Sequence, residues 1–374
     1  MSTDNGSPVV IDNGTSTIKA GFAGSDFPPL VFPSNVGEPG LVGSKAFKKR
    51  FQFDLTHPMK NGIISDWNSM EIIWDHVFTE LNADSKDHPV FLTESPLTPK
   101  ENREKMTQIM FETFNTPAMY VAMQPVMSLL ASERITGLVV DSGHGATHTV
   151  PVYDGYAIPR AICRMELSGG GLTEYLQRLL TERGYYLTSS GERQAVQDLK
   201  EKLCYVARDF AEEMKSTFMT PPMSYELPDG QVIKIGNERF RCAEALFNVS
   251  FSVLSFIIIS RLQPAVVNPE FTGIPKMVSD SILKCDGSIQ EELWKSILLS
   301  GGTTCLPGFE NRFVDELKVI APKDQKVGIT KSPDINSAWM GGSILALSHG
   351  FDYSWVLKEE YHEVGPSIVH RKCF

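Results

Sequence analysis

Two aspartates that follow apolar runs are the residues of this chain best suited to do chemistry. Asp12 closes the run VVID and is followed by Asn-Gly, while Asp141 closes LVVD and is followed by Ser-Gly, 129 residues later (141 − 12). Glycine lets backbone N–H groups approach phosphate oxygens closely, and a strand end fixes the carboxylate. One Asp-x-Gly turn is a weak signal, because tight turns use it often. Two copies predict two lobes built on one plan, with a ligand between them.

Further polar groups accompany these turns. A third apolar run, ILLS, leads into the glycine turn at Gly301 and Gly302, which is the pattern of a buried strand ending in a turn. The hydroxyls of Thr15 and Ser16 and the ammonium of Lys19 would add donors around the phosphates of the first turn. The three turns together predict a nucleotide clamped between the lobes.

The two aspartates also predict a metal site. Asp12 and Asp141 would face each other across the cleft and hold Mg²⁺ largely through water, while the metal bridges phosphate oxygens. Phosphoryl transfer depends mainly on positioning and charge stabilisation, so a polar side chain must orient the attacking water. Gln124 and His148 are the candidates. Each also has a purely structural interpretation: Gln124 as an amide at a helix end, and His148 as a core histidine whose hydrogen bonds are made within the protein. The predicted nucleotide site between the lobes is what favours a catalytic role for both.

Helices are predicted between the apolar strands. Helical spacing of apolar residues follows Asp66, a good N-cap, and recurs over residues 106–114 and 172–180. Ser189 and Glu192 form a predicted capping box. The helix that they open carries a predicted core stripe of Val196, Leu199, Leu203 and Val206. Strands alternating with helices predict an α/β fold.

Composition excludes several classes of protein. At 374 residues the chain exceeds the usual size of a single core, and its net charge of −10 argues against affinity for nucleic acid or anionic membrane. The six cysteines show no CxxC pair and no metal spacing, which indicates a reduced, cytosolic compartment. The N-terminus has no apolar signal region, and the most apolar stretch, residues 251–259, is too short to span a bilayer.

The chain resembles actin over essentially its whole length. The similarity is carried by NREKMTQIMFETFN at 102–115, KEKLC at 200–204, YELPDGQV at 225–232 and GPSIVHRKCF at 365–374. This resemblance implies an α/β, actin-like ATPase fold of duplicated ribonuclease-H-like lobes. It also implies ATP or ADP and a divalent cation, Mg²⁺ or Ca²⁺, in the cleft between them.

The resemblance implies lobe boundaries that no linker marks in the sequence. The outer lobe would comprise residues 1–131 and 337–374, with a small subdomain at about 33–57. The inner lobe would comprise residues 132–336, with its own subdomain at about 168–269.

The resemblance assigns most of the site by position. The first phosphate turn would be Asp12, Asn13, Gly14, Thr15, Ser16 and Lys19. The second would be Asp141, Ser142, Gly143, Gly145 and Ala146. The adenosine side would be Gly169, Lys200, Glu201, Gly301, Gly302 and Thr303. Gln124 and His148 match the pair that positions water in the family, so a slow ATPase is implied.

Several positions depart from the family's pattern. His144 stands where the family has a second acidic residue, and Ser16 replaces a glycine. Gly170 and Gly171 replace an Arg-Asp pair, and Ile335 falls near the place of a lysine that lies against the base. An imidazole in place of a carboxylate changes the charge beside the phosphates. We therefore expect nucleotide binding to survive, with cation geometry and hydrolysis rate altered.

Two length changes bear on assembly. Residues 36–41 run directly into residues 42–46, without the extended loop that conventional actin inserts into the next subunit along a strand. Loss of a major longitudinal contact is expected to weaken filament growth. Residues 248–267 carry additional, largely apolar residues near the loop that bridges filament strands. This segment is a new contact, an aggregation liability or a retained non-coding segment.

Three functions from different classes follow. The leading one is a divergent actin or actin-related protein of the cytoplasmic cytoskeleton, which assembles with itself or other actin subunits and hydrolyses ATP slowly. The alternative is a non-polymerising scaffold subunit of a larger complex. A sugar kinase would share the phosphate turns, but no acidic base for a sugar hydroxyl is evident, and a heat-shock chaperone is excluded by length. Trp355 and the tail at 370–374 resemble actin closely, which implies actin-binding proteins at the groove between the outer subdomains.

Overall fold

The computed structural model describes residues 6–38, 40–49, 54–216, 221–228, 230–248 and 273–373. Of the additional segment at 248–267, only Asn248 is among them, so its expected roles lie outside the described residues.

Strands and helices alternate along the described chain, as the sequence predicts for an α/β protein. The strands are β1 Val9–Asn13, β2 Thr17–Phe22, β3 Leu30–Pro33, β4 Val36–Gly37, β5 Leu41–Val42, β6 Leu55–Thr56, β7 Met59–Lys60, β8 Ile63–Ile64, β9 Val90–Glu94, β10 Ala118–Met123, β11 Gly137–Ser142, β12 Thr147–Tyr153, β13 Tyr156–Ala157, β14 Cys163–Met165, β15 Met223–Glu226, β16 Val232–Ile235, β17 Ile297–Ser300, β18 Ile329–Lys331 and β19 Val356–Leu357. The helices are α1 Gly43–Lys48, α2 Trp67–Leu81, α3 Lys100–Glu112, α4 Gln124–Leu130, α5 Gly169–Glu182, α6 Ser190–Leu203, α7 Phe210–Ser216, α8 Glu238–Glu244, α9 Ile274–Leu283, α10 Gly287–Lys295, α11 Phe309–Ile320, α12 Ser337–Ala346, α13 Lys358–Val364 and α14 Val369–Lys372. Short 3₁₀ turns lie at Pro159–Ala161, Gly302–Cys305, Phe351–Tyr353 and Pro366–Ile368.

Two six-stranded sheets share one topology. The first has the order β19-β10-β9-β1-β2-β3, and the second has the order β13-β12-β11-β17-β18, with β14 also on β12. In each, an antiparallel hairpin (β1–β2 or β11–β12) is followed by strands that add in parallel on its other side. The carboxyl ends of parallel strands meet at one sheet edge, which is where ligands of α/β proteins bind. The predicted duplication is therefore present in the fold.

The repeat extends to single residues. In the β1–β2 hairpin Asp12 pairs with Lys19, and in the β11–β12 hairpin Asp141 pairs with His148. Each partner lies seven positions after its aspartate (19 − 12 and 148 − 141). Side chains that are directly opposite on a hairpin share one face, so each aspartate has a nitrogen-bearing side chain beside it, an ammonium in one sheet and an imidazole in the other.

Each six-stranded sheet has its own hydrophobic core. The first core combines residues from Val9 to Met127 with residues from Trp339 to Cys373, and the second combines residues from Leu138 to Leu317. Separate cores of this kind favour two lobes, since a single hydrophobic core stops growing beyond about 250–300 residues and longer chains divide. The boundaries given above stay a prediction. Of the described helices, none is both long and apolar enough to cross a membrane.

The predicted helix starts are confirmed where a cap was recognised. Asp66 accepts a hydrogen bond from the Ser69 N–H at 3.2 Å, and Ser189 and Glu192 form both halves of the capping box. One detail was wrong, because α6 ends at Leu203 and Val206 does not continue the helix. Its N–H donates instead to the Pro307 carbonyl at 2.8 Å, and its side chain reaches the second core from a loop.

Candidate functional site

A cavity of about 540 Å³ lies where the parallel strands of the two sheets end. All but two of the site residues predicted from the sequence line it: Asp12, Gly14, Thr15, Ser16, Lys19, Gln124, Asp141, Gly143, Gly145, Ala146, His148, Gly169, Lys200, Glu201, Gly301, Gly302 and Thr303. Side chains from both six-stranded sheets therefore converge on one cavity.

The two exceptions, Asn13 and Ser142, lie behind the cavity wall. The Asn13 amide donates to the Thr93 carbonyl and accepts from the indole of Trp74, each at 3.1 Å. The Ser142 hydroxyl is 2.7 Å from the hydroxyl of Thr147. Both side chains are buried and hydrogen-bonded to protein, so they hold the aspartate-bearing strands in place.

Asp12 is surrounded by donors from three elements. Its Oδ2 accepts from Lys19 Nζ at 2.8 Å, and its Oδ1 accepts from the Thr93 hydroxyl at 2.6 Å and from Gln124 Nε2 at 3.0 Å. A buried carboxylate needs such partners, because desolvation otherwise disfavours its charge. With both oxygens bonded to protein, Asp12 is suited to act on a cation through water.

Asp141 is less well neutralised than Asp12. Burial first, and then the charge of Asp12, raise the pKa of Asp141 to about 6, while Lys19 and a hydrogen bond from Ser300 oppose the rise. Two carboxylates that raise each other's energy in this way are stabilised by a divalent cation between them. Ser300 ends β17 opposite Asp141 as Thr93 lies beside Asp12, so the duplicated plan places a hydroxyl side chain beside each aspartate.

Backbone contacts between the turns are close enough to require glycine. Gly301 has φ of +84°, and a Cβ there would lie 2.4 Å from the Ser142 carbonyl oxygen. A Cβ on Gly145 would lie 2.4 Å from Thr15 Oγ1 and 2.5 Å from the Gly62 nitrogen. The first contact joins β17 to the second phosphate turn, and the second brings the two phosphate turns together across the cavity.

Gln124 and His148 differ in how they are held. Gln124 opens α4 and donates from Nε2 to Asp12 Oδ1 and to the Asn13 carbonyl, both at 3.0 Å. His148 lies on β12 with 1% of its surface exposed, and neither ring nitrogen has a hydrogen-bond partner among the described residues. A buried polar group without a partner costs stability unless a ligand or water satisfies it. Its place in the cavity wall makes such a ligand or water the expected partner.

Acidification is expected to destabilise the protein through His148. Burial, with Arg164 as a smaller cause, lowers the pKa of His148 from 6.5 to about 3. Between about pH 3 and pH 6.5 the unfolded chain therefore binds a proton at His148 that the folded chain does not bind, so the free energy of unfolding rises with pH in that range. This residue alone should remove about 1.4 kcal/mol of unfolding free energy between about pH 7.5 and pH 5.5. Urea unfolding of wild type and His148→Gln measures it, with exposed His349→Gln as the matched control. An equal loss in wild type and His148→Gln would contradict the assignment.

The far end of the cavity is built on α5 and α6. Lys200 is buried, and its Nζ donates to the Gly169 carbonyl at 2.6 Å and to the Thr173 hydroxyl at 2.9 Å. Burial lowers the pKa of Lys200, and no carboxylate within salt-bridge distance pairs with it among the described residues. Glu201 is exposed at the mouth and accepts from Gln197 at 2.9 Å. This end thus offers a cation and an exposed carboxylate.

Sequence reasoning missed several residues of the site. Thr93 donates to Asp12, and Ser300 pairs with Asp141 between β17 and β11. The sequence signal for both was their place at the ends of apolar runs. The other unpredicted residues of the cavity wall include Gly62, Ser95, Ser128, Gln197, Cys305, Leu306, Pro307, Asn336 and Ala338. Ile335, already recognised as a departure, is 59% exposed and lies over Gly302, where a Cβ would meet its Cδ1 at 3.5 Å.

The residues present fit a nucleotide with a divalent cation. The glycine turns expose backbone near Asp12 and Asp141, the ring nitrogens of His148 have no hydrogen-bond partner in the described part of the chain, and the cavity volume falls within the range of about 300–1,000 Å³ that small-molecule sites have. No group of three or more His, Cys, Asp or Glu side chains that could hold a metal occurs in the described ranges. A cation here would therefore depend on phosphate and water oxygens as well as the two aspartates, as Mg²⁺ commonly does.

Comparison with known families agrees with this geometry. The family model described as Actin matches residues 3–374 of the chain, which is essentially its whole length.

Proposed function

The chain belongs to the actin family, and from that premise we propose that it binds ATP with a divalent cation in the central cavity and hydrolyses it slowly in connection with assembly. The observation that carries this proposal is the pair of aspartates at matching strand ends of the two sheets, with glycine turns beside each. A single turn would fit many loops, whereas the matched pair lines one cavity.

Different side chains would bind the phosphates, hold the cation and orient the attacking water. The hydroxyls of Thr15 and Ser16 would donate to phosphate oxygens, and Lys19 would hold the side chain of Asp12 in place through their ion pair at 2.8 Å. Asp12 and Asp141 would hold the cation through water, and the cation when bound would supply positive charge to the phosphates. Gln124, fixed by its amide donors, has its carbonyl oxygen left to accept from water, and His148 offers a neutral ring nitrogen. Orientation of the attacking water by these two groups is the expected route to slow hydrolysis.

Filament assembly would be weakened because the hairpin formed by β4 and β5 is short. Strands β4 and β5 pair antiparallel, Val36 with Val42 and Gly37 with Leu41. The Gly40 N–H donates to the Gly37 carbonyl at 2.9 Å, so the hairpin closes within three intervening residues. The extended loop that actin inserts into its neighbour has no counterpart in this hairpin. Association must repay its entropy cost from the remaining contacts, so a filament would grow poorly.

The same hairpin supports a second candidate function. A chain that keeps the nucleotide cavity but lacks this contact could serve as a non-polymerising scaffold subunit of a larger complex, held in shape by bound nucleotide. Ligand binding to the folded state alone stabilises it by mass action, which would suit a scaffold as well as a filament subunit.

Pelleting of purified protein by ultracentrifugation tests these alternatives, with Mg²⁺-ATP, physiological salt and a range of concentrations. Because one longitudinal contact is missing, we expect bound ATP with most of the protein in the supernatant, and a critical concentration well above that of conventional actin run in parallel. Pelleting at actin's own critical concentration would show that the loop is dispensable. Absence of pelleting at every concentration would support the scaffold, and absence of ATP binding would remove both.

A further inference from the structure

His144 lies at a junction between the second phosphate turn and α5. Its backbone carbonyl accepts from the Gly170 N–H at 2.8 Å and from the Ser168 hydroxyl at 2.5 Å. The preceding carbonyl, of Gly143, accepts from the Gly169 N–H at 2.9 Å and from the Thr303 hydroxyl at 2.7 Å. The turn is therefore fixed by the N-terminus of a 14-residue helix, and the side chain of His144 lines the cavity.

Gly170 and His144, two of the departures from the family pattern, lie against each other. A Cβ on Gly170 would lie 2.9 Å from the His144 carbonyl oxygen, 3.0 Å from His144 Nε2 and 3.3 Å from its Cδ2. The nearest of these atoms belongs to the backbone, so a side chain at position 170 would crowd the turn itself as well as the imidazole. With glycine at 170, both the turn and the histidine ring lie in close contact with the start of α5.

The surroundings of the ring are cationic. Burial first, and then the charges of Lys200, Arg193 and His57, lower the pKa of His144 to about 4. The ring is therefore neutral near pH 7, and no described residue hydrogen-bonds its nitrogens. Arg193 forms an ion pair with Glu174 at 2.5 Å, so its charge is partly neutralised. Lys200, in contrast, donates only to neutral oxygens among the contacts described above. The N-terminus of α5 adds partial positive charge.

We propose that His144 makes nucleotide binding in this cavity much less dependent on a divalent cation than a carboxylate at the same place would. The inference rests on the proposed function and concerns the charges of this chain around the second phosphate turn. A neutral imidazole can donate an N–H to a phosphate or sugar oxygen, and with Lys200 and the helix end it leaves the turn attractive to a bare polyphosphate. A carboxylate would repel the same oxygens unless a cation stood between them.

The test compares ATP affinity with excess Mg²⁺ and with EDTA, in wild type, His144→Asp and His144→Asn, by displacement of a fluorescent ATP analogue. Removal of Mg²⁺ should weaken the affinity of His144→Asp for ATP about tenfold more than it weakens the affinity of wild type. The reason is that repulsion between one added negative charge and the nearby phosphates is of that order. His144→Asn, which is neutral, should keep the wild-type ratio. Equal ratios for wild type and His144→Asp would overturn the inference while leaving the proposed function intact.

A second measurement needs no variant and covers failure of His144→Asp to fold. Inorganic tripolyphosphate in EDTA should raise the melting temperature of wild type in a concentration-dependent way, because a ligand of the folded state stabilises it. No rise in EDTA, with a clear rise once Mg²⁺ is added, would overturn the inference alone. No binding of ATP or tripolyphosphate in either buffer would overturn the proposed function as well.

Discussion

Replacement of Gln124 by alanine is expected to slow ATP hydrolysis about 100-fold, with ATP affinity changed by less than about threefold. Positioned groups that accept or orient a proton contribute about 10²–10⁴-fold to such reactions, and the oxygen of Gln124 is the free end of an amide whose nitrogen is fixed on Asp12 and on the Asn13 carbonyl. Loss of the side chain removes the orientation of water but leaves both phosphate turns in place.

Single-turnover hydrolysis with bound ATP separates this effect from binding and release. Gln108→Ala is the matched control, because Gln108 lies on α3, bonds Glu112 at 2.9 Å and does not line the cavity. His148→Ala should also slow hydrolysis, and the double variant should be little slower than the worse single one if both groups act on the same water. A Gln124→Ala protein that hydrolyses at the wild-type rate would exclude Gln124 from catalysis.

Gly145→Ala is expected to weaken ATP binding about 100-fold or more. The added Cβ would stand 2.4 Å from Thr15 Oγ1 and 2.5 Å from the Gly62 nitrogen, so the two phosphate turns must separate by about 1 Å or more. Overpacking of this kind costs about 1–3 kcal/mol, and the upper end of that range corresponds to about 100-fold in affinity. The clash is with backbone as well as a side chain, so a rotamer change cannot relieve it.

A glycine outside the cavity supplies the control. A Cβ on Gly287 meets no described atom within 4 Å, and Gly287 opens α10 without lining the cavity. Gly287→Ala should therefore bind ATP within about threefold of wild type, by the same displacement assay, with thermal melting to verify that both variants fold. Equal affinities for Gly145→Ala and wild type would mean that the turns do not approach each other in the nucleotide-bound protein.

The residues that line the central cavity could be predicted from the sequence to a large extent. Asp12 and Asp141 were recognisable because a carboxylate that follows an apolar run and comes shortly before a glycine is typical of the end of a buried strand. The capping signals at Asp66 and Ser189 were confirmed, since a cap needs only local hydrogen bonds. Val206 was misplaced because helical spacing continues in the sequence past Leu203, where the chain leaves the helix to reach the same core.

Local sequence determined where the strands, helices and turns lie, which residues are acidic, and that the plan is repeated, because these depend on neighbours within a few positions. Tertiary structure decided the rest. It paired Thr93 with Asp12 across 81 residues and brought Gly145 against Thr15 from the other phosphate turn. It also left the ring nitrogens of His148 without a hydrogen-bond partner among the described residues and placed the His144 ring against Gly170. Such contacts join segments far apart in the chain, so only the packed fold specifies them.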